Sequence, residues 1–569
     1  MPSRNRQARA ALLVEVLTGA GLVLATAAFV LWQNAHLTVL WDLSYILENA
    51  SRIALGQVPY RDFPFPYAPV TFLVQAAIIR LFGRVVLHHH LYAAFTGALA
   101  TLLTWRILLR LLAASRLPAR SIAFLLSVPL IFLGTSSIFP HPFYDSDSTL
   151  FILGCTWLLL HVESVGFPGF STFACGFLLA VPLFIKQNTG LAFLVSAVFC
   201  IAWLGRRQGR AAILLLTGAT AGVATALLLI QYTAGLGNYL HWTIQFAASR
   251  RLPGLATMLD VYRDPALFWS YVVFAAGVAL FLAGSAVRRA LGWLAAALFS
   301  LPFLWAFAAL FLREDPADRV EALLHLWPVL LITALACVLW RLPRAATLAQ
   351  LVPLILLGAI HGAFLSQQLW GSTYALWPLL LILLATILVA LTQGLPQGAP
   401  TLPLTAFTAL ASFVLLVTGG YYALSHERLD YADLSGETLA HSSLPALRGL
   451  AMRGGWIADF EELAAYSDRE IPRGDAILML PGEDLFYFTT GRTPQFPVVM
   501  LDNTVNPYAA AQIVQLARQR NVRWLIVKRR LQLQEEPLSF RPQLLELLSR
   551  DFTHAESLNN YDIYRRRLE

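Results

Sequence analysis

Acidic and aromatic residues crowd the segment that follows the first apolar stretch of the chain. Trp41-Asp42-Leu43-Ser44-Tyr45 leads to Gly56-Gln57-Val58-Pro59-Tyr60-Arg61-Asp62-Phe63, and then to Pro64, Pro66 and Pro69; Glu48 lies between. Two later segments share this character: His141-Pro142-Phe143-Tyr144-Asp145-Ser146-Asp147-Ser148 and Lys186-Gln187-Asn188. A carboxylate can remove the proton of an attacking hydroxyl as general base. A cation, or a divalent ion (Mg or Mn) held by Asp145-x-Asp147, can stabilise a phosphate leaving group as negative charge develops. The combination suits transfer of a sugar from a lipid-linked phosphate at a membrane surface.

The rest of the chain is built for lipid. Of 569 residues, 57% are hydrophobic and only 13% are charged, against roughly 25% charged in soluble domains. The net charge of +8 comes largely from arginines in short loops between apolar runs, the footprint of membrane topology rather than of nucleic-acid binding. Cys155, Cys175, Cys200 and Cys337 all lie in apolar segments without ligand-like spacing, so neither a disulfide framework nor a zinc site is expected. The apolar run from Ala10 to about Leu31 is too long for a signal-peptide core and is read as a first span.

Apolar runs of crossing length lie near 10–32, 88–112, 121–139, 148–163, 171–186, 189–205, 211–231, 266–287, 290–312, 323–340, 347–365, 373–392 and 402–424. Arg106, Arg110, Arg116 and Arg120 belong on the same side as the Arg-rich N-terminus only if 67–83 does not cross, so that segment is read as an interfacial or dipping helix. The expected topology has about 13 crossings, a cytoplasmic N-terminus and an extracytoplasmic C-terminus. The three acidic or basic segments then share the outer face, together with Arg250, Arg251, Arg263, Arg313 and Arg319.

From about Ser425 the composition becomes that of a soluble domain. The expected division is a membrane domain over 1–424 and a small extracytoplasmic α/β domain over 425–569. Ala476–Leu480 and Val522–Val527 read as buried strands and Pro507–Asn521 as an amphipathic helix between them, a βαβ unit. No Gly-rich nucleotide fingerprint follows either strand.

The pattern Asp42…Tyr45…Gly56-x-x-Pro59-Tyr60-Arg61-Asp62-Phe63…Tyr67-x-Pro69…Leu81-Phe82-Gly83 resembles the start of polytopic glycosyltransferases with the GT-C fold. The nearest groups are the bacterial relatives of protein O-mannosyltransferases and of the lipid A aminoarabinose transferase. The motifs cover roughly residues 10–200, and the topology the remainder. The resemblance implies a membrane enzyme of the bacterial inner membrane that moves a sugar from a polyprenyl-phosphate donor to a glycan, lipid or protein acceptor outside, with inversion. It matches Asp42 to the catalytic acid/base position, Asp145 or Asp147 to the second-loop acidic position and Lys186 to the phosphate-contacting base. Leu43 stands where many members carry a second acid.

Around these, Arg313 and Arg319 are candidate phosphate contacts, Asp62 and His141 candidate positioning groups, and Trp41, Tyr45, Tyr60 and Tyr67 candidate aromatic contacts. Plainer roles compete with each. Asp42 would cap an interfacial helix, Asp62 would pair with Arg61, Asp145 and Asp147 would favour a helix N-terminus, and Lys186 would snorkel. Arg313-Glu314-Asp315 and Asp318-Arg319 would form a self-compensated loop. The tract His88-His89-His90 points three ways on a helix and is expected to be solvated at the interface. The rival functions are a transporter or flippase of a lipid-linked glycan and a non-catalytic assembly partner of the same architecture.

Overall fold

A computed structural model describes residues 2–251, 258–284, 289–314, 319, 322–365, 373, 375–393, 401–424, 437–532 and 538–567. The chain is a mainly helical bundle followed by a small sheet-containing unit. Among the described residues, eight helices are long and apolar enough to cross a membrane, and four shorter apolar helices accompany them. Asp315, Asp318, the loop residues 394–400 and the boundary near Ser425 lie outside the described residues, as do the side chains of Arg250 and Arg251.

The first half of the bundle carries the candidate site. Helix α1 (Pro2–Asn34) packs along α4 (Val86–Leu112), and between them run α2 (Leu40–Ala54) and α3 (Val70–Phe82). The segment expected to be a loop over 34–69 is thus half helix. Leu43, Ile46, Leu47, Ala50 and Ile53 recur at helical spacing and are buried, a stripe that drives an amphipathic helix onto its neighbours. Asp42 sits in its first turn and Arg52 in its last, each at the end where the helix dipole favours its charge.

Two of the expected crossings are broken. The run 121–139 gives α5 (Ala119–Ser127) and the single turn α6 (Leu130–Leu133), separated at Val128-Pro129, and then a buried non-helical stretch up to Phe143. Proline lacks the N–H needed to continue the helix ladder, and the irregular backbone that follows is enclosed by protein. Likewise, 171–186 gives α8 (Gly169–Leu178) and a 3₁₀ turn, Val181–Phe184, that contains Pro182. Helix α7 (Tyr144–Ser164) lies between these breaks, and α9 (Gln187–Leu204) and α10 (Gly209–Thr233) follow. Helices α8 and α10 touch through glycine: a methyl at Gly218 would collide with the Phe173 carbonyl, and one at Gly176 with that of Leu215.

The C-terminal unit holds a two-stranded sheet, β1 (Leu439–His441) against β2 (Ala451–Arg453), and a four-stranded sheet. The latter comprises β3 (Ala476–Leu480), β4 (Val522–Lys528), β5 (Phe552–Ser557) and β6 (Tyr561–Arg566) in the order β3-β4-β6-β5. Strands β3 and β4 are parallel, with the helix Ala510–Gln519 in their connection, as the sequence pattern anticipated. Side chains alternate between two cores. Leu478, Leu480, Leu525 and Val527 meet Ile513 and Leu544 on one face. Ile477, Met479, Trp524 and Ile526 join a core on the other face that also contains Leu43, Ile46, Leu47 and Phe72. The unit therefore shares its core with α2 and α3.

Candidate active site

Lys186 is the N-cap residue of α9, in extended backbone. A cation there opposes the helix dipole, and burial adds a desolvation cost. Its partner is Asp145, in the first turn of α7, which accepts a short hydrogen bond from Lys186 Nζ; both side chains are buried. The Pro182 turn before α9 and the break before α7 bring these two helix starts together. Gln187 extends the junction by donating through Nε2 to the Pro66 carbonyl at 3.2 Å, and Asn188 donates to the Gly362 carbonyl at 2.7 Å.

An aromatic row joins this pair to the helix of Asp42. Lys186 Nζ lies 5.9 Å from the Tyr144 ring centre. Tyr144 meets Tyr67 with centroids 5.0 Å apart, and Tyr67 meets Tyr45 at 5.2 Å. Tyr45 follows Asp42 by three residues on α2, close to the same side of the helix. All four residues from Asp42 to Tyr144 along this row are half-buried, so the row is open on one side. Trp41 is half-buried beside it, its carbonyl accepting from Ser44 Oγ at 2.9 Å.

Other candidates sit differently. Asp147 is two residues from Asp145, about 200° around the helix, and its carboxylate accepts from Thr71 Oγ1 at 2.7 Å and Tyr92 Oη at 2.9 Å. The Asp-x-Asp pair is therefore split between two sets of partners, which does not fit a shared divalent ion. Among the described residues, no group of three or more His, Cys, Asp or Glu side chains converges. Asp62 lies in an exposed turn, paired with Arg61 at 2.9 Å and accepting from the Val58 N–H at 2.7 Å. The Arg61 hydrogen bond holds its carboxyl below the usual value. Tyr60 is buried at φ +69°; its hydroxyl donates to the Tyr67 carbonyl at 2.7 Å, so it supports Tyr67 from beneath. His141 is buried, its Nδ1 3.0 Å from the Pro142 carbonyl and its ring between Phe139 and Phe143. Arg319 donates to the Arg313 carbonyl and to Tyr421 Oη at 3.0 Å, while the Arg313 guanidinium stands 6.0 Å from the Trp305 ring centre. His89 and His90 are buried rather than solvated: His89 Nδ1 lies 2.7 Å from Gln75 Oε1 and its ring packs on Phe488.

Two polar features beside the site are buried, which was not anticipated for either. Glu48 is buried on α2 and accepts from the Phe488 N–H at 3.1 Å; desolvation pushes its pKa up to about 8. In the C-terminal unit, buried Lys528 at the end of β4 bonds Glu483 at 2.6 Å and Asp484 at 2.7 Å. Gln532 links this cluster to α2. Its backbone N–H donates to Glu483 at 2.9 Å, its Oε1 accepts from the Leu40 N–H at 2.7 Å and its Nε2 donates to the Thr38 carbonyl at 2.9 Å. The start of α2, and Asp42 with it, is pinned from outside the bundle. Residues almost 500 positions apart make these bonds, and no local pattern announces them.

No family model and no curated protein matches the chain. Among solved structures, it is similar to ArnT from Cupriavidus metallidurans bound to undecaprenyl phosphate, at 13% identity and a TM-score of 0.43, over 96% of this chain and 97% of that one. It is also similar to the apo oligosaccharyltransferase of Archaeoglobus fulgidus, at 11% identity and a TM-score of 0.49, over 90% and 69%. AglB from the same organism, in complex with an inhibitory peptide and a dolichol-phosphate, aligns at 12% identity and a TM-score of 0.48 over the same shares.

Proposed function

We propose that the chain is an integral-membrane glycosyltransferase of the GT-C type, which transfers a sugar from a polyprenyl-phosphate donor to an acceptor hydroxyl outside the bacterial plasma membrane. Residues 1–424 form the catalytic membrane domain, and residues 425–569 an extracytoplasmic α/β domain that helps hold the acceptor side of the site. The observation that carries this reading is the buried Lys186–Asp145 pair, joined through Tyr144, Tyr67 and Tyr45 to the helix turn that bears Asp42.

Asp42 accepts the proton of the acceptor hydroxyl as its oxygen attacks the anomeric carbon. The bond from that carbon to the phosphate oxygen breaks, and the polyprenyl phosphate leaves with the electron pair. Lys186 neutralises the charge that gathers on the phosphate. Asp145 holds the lysine ammonium in place, so the site is organised before the donor arrives. With one base and no covalent nucleophile, displacement is direct and the sugar carbon inverts. Tyr45, Tyr67 and Tyr144 supply the aromatic wall between Asp42 and Lys186. No step requires a metal ion.

The test is the lipid that travels with the protein. Mass spectrometry of the mildly solubilised, purified chain is expected to find a polyprenyl phosphate or its glycosylated form, depleted in a Lys186→Met variant. Recovery of bulk phospholipid only, together with no transfer from any polyprenyl-phosphate sugar, would overturn the proposal.

A further inference from the structure

The opposite end of α7 holds a second charged site. His161 lies 16 residues beyond Asp145 on that helix, about 24 Å along its axis. There a cavity of about 790 Å³ opens between α1, α4, α5 and α7, lined among others by Glu15, Arg106, Arg110, Arg120, Trp157 and His161. Three guanidinium groups gather around Glu15. Glu15 bonds Arg120 at 2.9 Å and stands 3.9 Å from Arg106, and Glu163, bound to the Leu348 and Ala349 N–H groups, acts on Arg110 from a greater distance; the recess keeps a net positive charge.

Arg110 is the informative member. Its Nη2 donates to Ser164 Oγ at 2.9 Å, whereas its Nη1 is buried with no hydrogen-bond partner among the described residues. A buried donor left unmade is costly, and on a charged group an anionic oxygen is the acceptor that best relieves it. Trp157 and His161 stack with planes 4° apart and centroids 5.3 Å apart, forming a flat wall. The surroundings are apolar and outward-facing: Leu12, Leu13, Val16 and Leu17 flank Glu15 on α1 and are each more than half exposed. Exposed leucines at that density belong in acyl chains, which places the arginines at headgroup depth. A basic recess between helices, walled by Trp and bordered by lipid-facing leucine, matches the phosphate of a lipid better than a diffusing ion.

We propose that this recess binds the phosphate of an anionic phospholipid, in the leaflet opposite the transferase site, seated on Arg106 and Arg110. The arginine distribution along the chain makes that leaflet the cytoplasmic one.

The test uses the full chain in a neutral detergent, titrated with phosphatidylglycerol, phosphatidylcholine or inorganic phosphate and read by native mass spectrometry and thermal shift. Phosphatidylglycerol is expected to bind and to raise the melting temperature; phosphatidylcholine and inorganic phosphate are not. The double variant Arg106→Gln/Arg110→Gln should weaken phosphatidylglycerol binding about 30-fold, from about 1 kcal/mol per basic residue at the surface. Arg344→Gln, an exposed arginine in a separate cluster, should leave it unchanged. Should the double variant fail to fold, Arg106→Gln alone tests the same point, because that side chain is half-exposed. Equal binding of phosphatidylcholine, binding of inorganic phosphate as tight as that of the lipid, or undiminished binding by the variants would overturn the proposal.

Discussion

Replacing Glu48 with glutamine should change how stability depends on pH. Glu48 is 2% exposed; one oxygen accepts the Phe488 N–H at 3.1 Å, and the other has no partner among the described residues. Arg52, one turn along α2, attracts the ionised form, but desolvation dominates and the carboxyl titrates near 8 instead of 4.5. A raised carboxyl pKa in the folded state means that the fold holds the proton more tightly than the open chain does. The stabilisation is complete below about pH 4.5, declines as pH rises and is lost once pH passes about 8, at roughly 1.4 kcal/mol per pH unit across that window. The whole interval amounts to on the order of 5 kcal/mol. The amide of a Glu48→Gln variant keeps the acceptor for Phe488 and has no proton to lose. Thermal unfolding in detergent from pH 5 to 9 should therefore show the variant gaining on the native chain steadily up to about pH 8 and levelling off above. A difference in melting temperature that does not vary with pH would refute the burial argument, and with it the docking of α2 on the C-terminal unit as described.

Three further outcomes follow from the same contacts. Lys528→Met should cost about 3–5 kcal/mol, because Glu483 and Asp484 would face each other without their cation; adding Glu483→Gln and Asp484→Asn should restore part of the lost melting temperature. Gly218→Ala should separate α8 from α10, and protease accessibility of the loop between α9 and α10 should rise, since the new methyl meets backbone rather than a side chain that can move. Gln532→Leu removes two bonds to the start of α2, costing about 1–3 kcal/mol; kcat should fall more than donor KM rises, because the residue positions Asp42 without touching the donor.

Much of this arrangement was legible in the sequence because it depends on local chemistry. Acid-rich and aromatic segments beside apolar runs singled out Asp42, Asp145, Lys186, Tyr45 and Tyr67 as candidates, and short continuous apolar runs marked β3 and β4. Errors arose where a local rule was passed over or where distance in sequence was large. The stripe Leu43, Ile46, Leu47, Ala50, Ile53 was present in what was read as a loop, masked by the prolines beyond it. Pro129 and Pro182 were counted within crossings although each ends a helix. Asp145 and Asp147 look like a pair in one dimension, and the helical turn sends them apart. Burial of His89 and His90, the Glu483–Lys528–Asp484 cluster and the grip of Gln532 on Leu40 all need the C-terminal unit seated on α2, which periodicity does not encode.

The central claim is that Asp42 takes a proton from the acceptor while Lys186 holds the phosphate. The most direct measurement is single-turnover transfer from a labelled polyprenyl-phosphate sugar by an Asp42→Asn variant, alongside its donor affinity. Loss of a general base should lower the rate by about 10²–10⁴-fold, with donor affinity within a few-fold of the native chain. A variant that transfers at close to the native rate would contradict the account.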